Sequence, residues 1–147
     1  MCLKLENKNG SFVTHLPKSK LMQRLDKAKD GEITCWKVYW KWNSHLSSVV
    51  MGGSMGGSID GPGVITSDRE TKALTEQEIE DGMIDYGIHV YTSREEAYAA
   101  LEYYDKFIVP VICRKADFVA QGIHGDAVFM KIRIRSRAWN RLFKGTK

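Results

Sequence analysis

The sequence predicts a single α+β domain over residues 1–147, built on a mixed or antiparallel β-sheet, whole or split, with three to four short helices. Three observations lead there. Residues from Glu32 to about Leu46 alternate with period two, Thr75 and Ser93 each open a helical pattern with a capping box, and a last strand from Ala127 to Arg135 alternates from Met130 onward. A length of 147 residues suits one core and leaves no room for two comfortable ones.

Taken in order, Ser11 to Leu16 reads as a short strand, and Pro17 with Ser19 introduces a helix through about Lys29. Leu21, Met22, Leu25 and Ala28 give that helix one apolar side, and Asp30-Gly31 is its stop signal. The Glu32 strand carries Ile33, Cys35, Lys37, Tyr39 and Lys41 on one face and Thr34, Trp36, Val38, Trp40 and Trp42 on the other. The tryptophan row suits either a core wall or a platform for stacking bases or a ligand. The core wall is expected, because Val38 shares the face while Lys37 and Lys41 project from the opposite one.

A glycine-rich stretch, Met51 to Gly63, contains a tandem Met-Gly-Gly-Ser. It lacks the terminal Lys and Ser/Thr of a phosphate-binding loop and opens no helix, so a flexible connection is expected there. Ile65 to Glu70 reads as a polar turn. Thr75 and Glu78 form the first capping box, for an acidic helix to about Asp81 that Gly82 ends. Ile88 to Tyr91 is a brief strand, and Ser93 with Glu96 caps a helix whose Ala97, Ala100, Leu101 and Tyr104 share a face.

Phe107 to Cys113 is apolar at alternate positions of both parities, as in a strand buried on both faces, although Pro110 implies an edge or a bulge. A turn at Asp117 leads to a short helical turn ending near Gly122. In the last strand Val128, Met130, Ile132 and Ile134 face the core, while Lys131, Arg133 and Arg135 point out. Arg137 and Arg141 extend that basic surface along a terminal helix carrying Trp139, Leu142 and Phe143.

Charge is segregated. Residues 1–50 hold nine basic and four acidic side chains, residues 51–105 hold three and twelve, and residues 106–147 hold ten and two. An acidic middle between basic ends serves either to pair surfaces within the fold or to present a basic face to an anionic partner. Lys131, Arg133, Arg135, Arg137 and Arg141 are the candidate anion-binding or nucleic-acid-binding residues. Cys2, Cys35 and Cys113 form no CxxC pair and His15, His45, His89 and His124 are scattered, so reduced thiols and no metal site are expected. No apolar run approaches the ~18 residues of a membrane span, and the first six residues lack a signal-peptide core, so a cytoplasmic location is expected.

Met1-Cys2-Leu3-Lys4-Leu5, the Cys35-Trp36-Lys37-Val38 strand and the Gly87-Ile88-His89-Val90 strand with its following helix resemble small phage and bacterial proteins that begin Met-Cys-Leu. That resemblance brings no known activity with it, but together with the absence of a complete catalytic set it leads to the expectation of a non-catalytic binding protein of phage or mobile-element type, acting on a host protein or nucleic acid, for example in countering host defence. The same order of elements, continued through Phe107–Cys113 and the Asp117-Phe118-Val119 turn, is similar to the core of the ADP-ribosyltransferase-like fold. This second resemblance implies NAD as cofactor, with Lys37 in the place of the ribose-holding His or Arg, and His89 and Tyr91 beside the nicotinamide. It also implies a catalytic carboxylate on the late strand, where residues 127–135 contain none and Asp126 is the nearest. No cofactor is therefore the primary expectation and NAD the alternative. A homo-oligomer joining acidic middle to basic end is a third class of behaviour for such a charge layout.

Overall fold

Alternation and capping are realised locally, and the way the strands then join is what positions the functional surface. The computed structural model describes residues 3–8, 11–13, 20–41, 46–48, 58–99 and 106–143. The chain begins with β1 (Leu3–Lys4), β2 (Glu6–Lys8) and β3 (Ser11–Val13), followed by helix α1 (Lys20–Lys27) and a 3-10 turn over Lys29–Gly31. The long strand β4 (Glu32–Lys41) comes next, then β5 (Leu46–Ser48), β6 (Ser58–Ile59) and β7 (Gly63–Thr66). Helix α2 (Glu76–Asp81), β8 (Met83–Ile84), β9 (Ile88–Tyr91) and α3 (Arg94–Ala99) make the middle of the chain. After β10 (Lys106–Arg114) and a 3-10 turn over Lys115–Asp117 come β11 (Phe118–Gln121), β12 (Asp126–Phe129), β13 (Lys131–Ile134) and α4 (Ser136–Leu142).

The main sheet runs β11-β12-β9-β4-β10-β13-β7, with β5 on β4 and β6 on β5, and every pairing is antiparallel. β12 and β13 are separated only by Met130, yet they stand on opposite sides of β4 in this order. The sheet therefore curls until its two flanks meet at Met130. Two backbone bonds mark that seam: Met130 N–H donates to Asp117 O at 2.7 Å, and Ser67 N–H donates to Met130 O at 2.9 Å.

The inside of the curl is the main core. Cys35 and Tyr39 of β4, Ile88 and Val90 of β9, and Val109 and Val111 of β10 meet Phe129 and Ile134, with Leu21 and Leu25 of α1 and Trp139 of α4 packed against them. A second core lies outside the curl, where Leu3, Leu5 and Ile84 of the β1–β8 ribbon cover Val119, Ala120 and Val128. Arg24 ties α1 to the sheet, donating to Thr92 O at 2.7 Å and Thr34 O at 2.8 Å.

Several expectations hold. The Thr75–Glu78 capping box is complete, with Gly82 as a left-handed C-cap, and Ser93 Oγ accepts the Glu96 amide at 3.2 Å. Cys35 and Cys113 are free and buried. Others are corrected. The face of β4 that enters the core carries Ile33, Cys35, Lys37 and Tyr39, whereas Trp36 and Trp40 are only half-buried on the other face. A closed interior ringed by five strand segments has room for Ile, Cys and one Tyr, not for a row of indoles. Nor is Phe107–Cys113 buried on both faces: Val109, Val111 and Cys113 are inside, while Ile108 and Ile112 are half-exposed and Pro110 exposed.

β10 is internal in the sheet order, but its pairing with β13 is confined to Ile112↔Arg133, so at Pro110 a missing amide forfeits no bond on that side. Val128 faces the second core rather than the first, because the bend at Met130 shifts the alternation: Ala127 and Phe129 precede it on the inner face, Ile132 and Ile134 follow it. The polar turn at residues 65–70 begins within a strand, β7, and the helical turn expected near Gly122 is the strand β11. Ala100, Leu101, Tyr104, Trp42 and residues 51–57 of the glycine-rich stretch lie outside the described residues, as do Met1 and Cys2.

Gly87 enters β9 with φ +118°, and a Cβ there would sit 2.3 Å from Val128 Cγ1. Gly87→Ala is expected to lower the unfolding free energy by about 1–3 kcal/mol, through backbone strain and the clash together, as read by chemical denaturation.

Candidate nucleic-acid interface

Strand alternation puts Lys131 and Arg133 on the outer side of β13, and Arg135 continues the row into the start of α4. Successive members are about 6.5 Å apart along the strand. Arg137 and Arg141, four residues apart, share a face of α4. All five side chains are exposed, and none forms an ion pair or a hydrogen bond among the described residues. The structure thus brings together the whole basic set read from the sequence.

Register shows what lies between these cations. Arg133 stands beside Val64 on one side and Ile112 on the other, and Ile112 is in turn beside Thr34. The next row on the same face is Pro110, Trp36, Tyr91 and Asp126. Three clefts of about 160, 170 and 190 Å³ follow this surface, sharing Ile112, Pro110, Ala138 and Arg141 between neighbours. One of them is lined by Trp36 together with Arg94 of α3, Arg141 of α4, Ile108 and Pro110. Acidic groups are sparse here: Asp117 lines one cleft, and Glu32 is held by Arg114 at 2.7 Å.

One member of this surface, Arg94, escapes a sequence reading, and another, Trp36, is expected there in the core wall. Arg94 belongs to the acidic middle by chain position, and Trp36 sits on a face whose alternation suits a core equally well. Trp36 is left open because the even-numbered face of β10 beside it, Ile108, Pro110 and Ile112, is half-exposed to exposed in the fold.

Lys37, His89 and Tyr91 are placed differently. Lys37 points into the main core, 1% exposed, with Nζ donating to His89 O at 2.9 Å and lying 5.3 Å from the Tyr39 ring centroid. Burial lowers its pKa to about 8, against a smaller upward pull from Cys113. His89 lies on the opposite face, buried. Its Nε2–H, assigned to the shorter contact, donates to Ile84 O at 3.0 Å, and Nδ1 is 3.2 Å from Gly87 O. Burial, with the Lys37 charge adding to it, lowers its pKa to about 4 against the pull of those two carbonyls. Tyr91 is half-buried beside Trp36. None of the three lines any of the clefts described here. Asp126 is buried, with one carboxylate oxygen unpartnered, and burial raises its pKa.

The acidic middle forms a cleft of its own, about 380 Å³, walled by Asp68, Glu70, Asp81, Asp85, Met83 and Tyr86. Its base is Arg69, whose guanidinium donates to both oxygens of Glu78 at 2.7 Å and to the carbonyls of Thr71, Ala73 and Tyr86. Burial pushes the Glu78 pKa up, but the hydrogen bonds from Arg69 and Thr75 outweigh it and the carboxyl is held below its ordinary value.

Fold and surface together define an α+β domain whose curled sheet presents an uncompensated basic face. No family model, no curated protein and no solved structure matches the chain. Among the described residues no group of three or more His, Cys, Asp or Glu side chains is placed to hold a metal ion, and no helix is long and apolar enough to cross a membrane.

Proposed function

We propose that this chain is a non-catalytic binding protein of phage or mobile-element type that acts on a host macromolecule, and that the macromolecule is nucleic acid. The observation that carries the reading is the set of five exposed cations, on β13, α4 and the Arg135 between them, that form no ion pair among the described residues. Leaving that many like charges together is unfavourable in the free protein, and a polyanion relieves it while releasing its own condensed counter-ions. The alternative, an NAD-using ADP-ribosyltransferase, draws no support from the positions of Lys37 and His89, whose polar atoms are tied to backbone carbonyls away from the clefts described.

Fluorescence anisotropy with labelled DNA and RNA across a salt series tests the reading. Binding is expected with log K falling linearly in log salt, by about 0.9 per neutralised phosphate on duplex and about 0.7 on a single strand. Arg133→Ala and Arg135→Ala are each expected to reduce that slope by about one contact. A flat salt response, or no binding at low salt, removes nucleic acid and leaves a host protein as the target. Transfer of label from NAD to a lysate protein would instead favour the enzyme.

A further inference from the structure

We infer that the nucleic acid bound on this face is single-stranded, with a base stacked on Trp36. The inference rests on the nucleic-acid reading above and narrows it. A duplex turns its bases inward and offers a protein its phosphates and groove edges, which are read by a protruding helix or ribbon entering a groove. The face described here has another design. Its cations rim concave clefts, and the floor between them is apolar and aromatic: Ile108, Pro110, Ile112 and half-exposed Trp36. Against a duplex that floor would stay wet and unused. An unpaired strand supplies what it lacks, a base face for the indole and a phosphate for each flanking guanidinium.

Spacing agrees. Lys131, Arg133 and Arg135 recur every second residue of an extended strand, about 6.5 Å apart, which is comparable with the step between phosphates of an extended nucleotide chain. Arg94 and Arg141 line the same cleft as Trp36, so a base seated there has cations at hand for the adjoining phosphates. Recognition of this kind is tolerant of sequence, because every base has a π-face.

The test uses the full chain and labelled oligonucleotides of about twelve nucleotides, within the span that one such surface covers: oligo-dT, oligo-U, and a mixed-sequence DNA as single strand and as duplex. Single strands are expected to bind about tenfold or more tighter than the duplex at equal salt. Trp36→Ala is expected to weaken single-strand binding by roughly 5- to 150-fold, the cost of one stacked base, with the salt slope unchanged and duplex binding altered less than about twofold. Trp36→Phe keeps a ring and is expected to restore most of the affinity, which a merely structural role for the indole would not require. Arg94→Ala, at an exposed position, is expected to weaken single-strand binding whatever becomes of the Trp36 variants. Comparison of oligo-dT with oligo-U tells DNA from RNA, and either result supports the inference. Equal or tighter duplex binding overturns it, as does a Trp36→Ala variant that melts like the parent and binds single strands as well. Absence of binding to every oligonucleotide overturns the nucleic-acid reading itself.

Discussion

Arg69→Ala is expected to lower the unfolding free energy by about 3–5 kcal/mol in chemical denaturation, a large share of what a domain of this size has. The guanidinium is 4% exposed and the Glu78 carboxylate 11%. All five of its N–H donors have acceptors: two Glu78 oxygens and the carbonyls of Thr71, Ala73 and Tyr86. Truncation leaves a nearly buried carboxylate and three carbonyls without their donor, and it is this orphaning that makes the change costly. Arg69→Lys is expected to recover only a minor part, because an ammonium cannot reproduce the planar fork. Glu78→Gln is expected to cost less than Arg69→Ala. The three carbonyls still hold the guanidinium, and the amide oxygen still accepts from Thr75 N–H. Equal losses for Arg69→Ala and Glu78→Gln would show that the ion pair alone matters.

Lys37→Met is expected to act in the opposite direction and raise stability at pH 7 by about 2 kcal/mol. Lowering a lysine pKa from 10.5 to about 8 by burial means that the charged form costs the fold about 3 kcal/mol at neutral pH. Methionine removes that cost and fills similar space, and the His89 carbonyl left without its donor takes back roughly 1 kcal/mol. The sign with pH follows from proton counting. Between pH 8 and 10.5 the unfolded chain keeps the Lys37 proton that the folded chain has lost, so parental stability rises with pH in that window. Cys113 and Tyr39 oppose this, since burial raises both pKa values and the unfolded thiol, from about pH 9, and the unfolded phenol, from about pH 10, ionise first. Denaturation curves at pH 7, 8, 9 and 10 should therefore show the parent gaining stability relative to Lys37→Met as pH rises, with any net rise of the parent confined to below about pH 9. A variant less stable than the parent at pH 7 would mean that the charge is compensated inside the core.

Much of the fold was legible because its signals are local. The capping box at Thr75, the strand-to-helix turn at Ser93 and the alternation of β4 and β13 each depend on residues within a few positions of one another. The exposed row Lys131, Arg133 and Arg135 followed from that alternation. What stayed hidden is set by distant partners. Period two says which residues of β4 share a face, not which face is enclosed, and both of its faces carry apolar side chains, so Lys37 and Trp36 exchanged roles. The β1–β8 ribbon has strands of two residues, too short to show any period, yet its Leu3 and Ile84 build the second core. The basic cations of the candidate site were therefore readable, while which apolar face of β4 stays open beside them was not.

The seam at Met130 has a kinetic consequence. Residues 126–134 are shared by both flanks of the curl, one half bonded to β9 and β11, the other to β10 and β7. Synthesis proceeds from the N-terminus, so until that segment has left the ribosome β9, β10 and β7 each lack a neighbour and the interior stays open to water. Closure thus waits on contacts of long sequence separation, the kind that slow folding and leave strand edges free to pair with other chains meanwhile. The nascent chain accordingly exposes unpaired strand edges until residues 126–134 emerge.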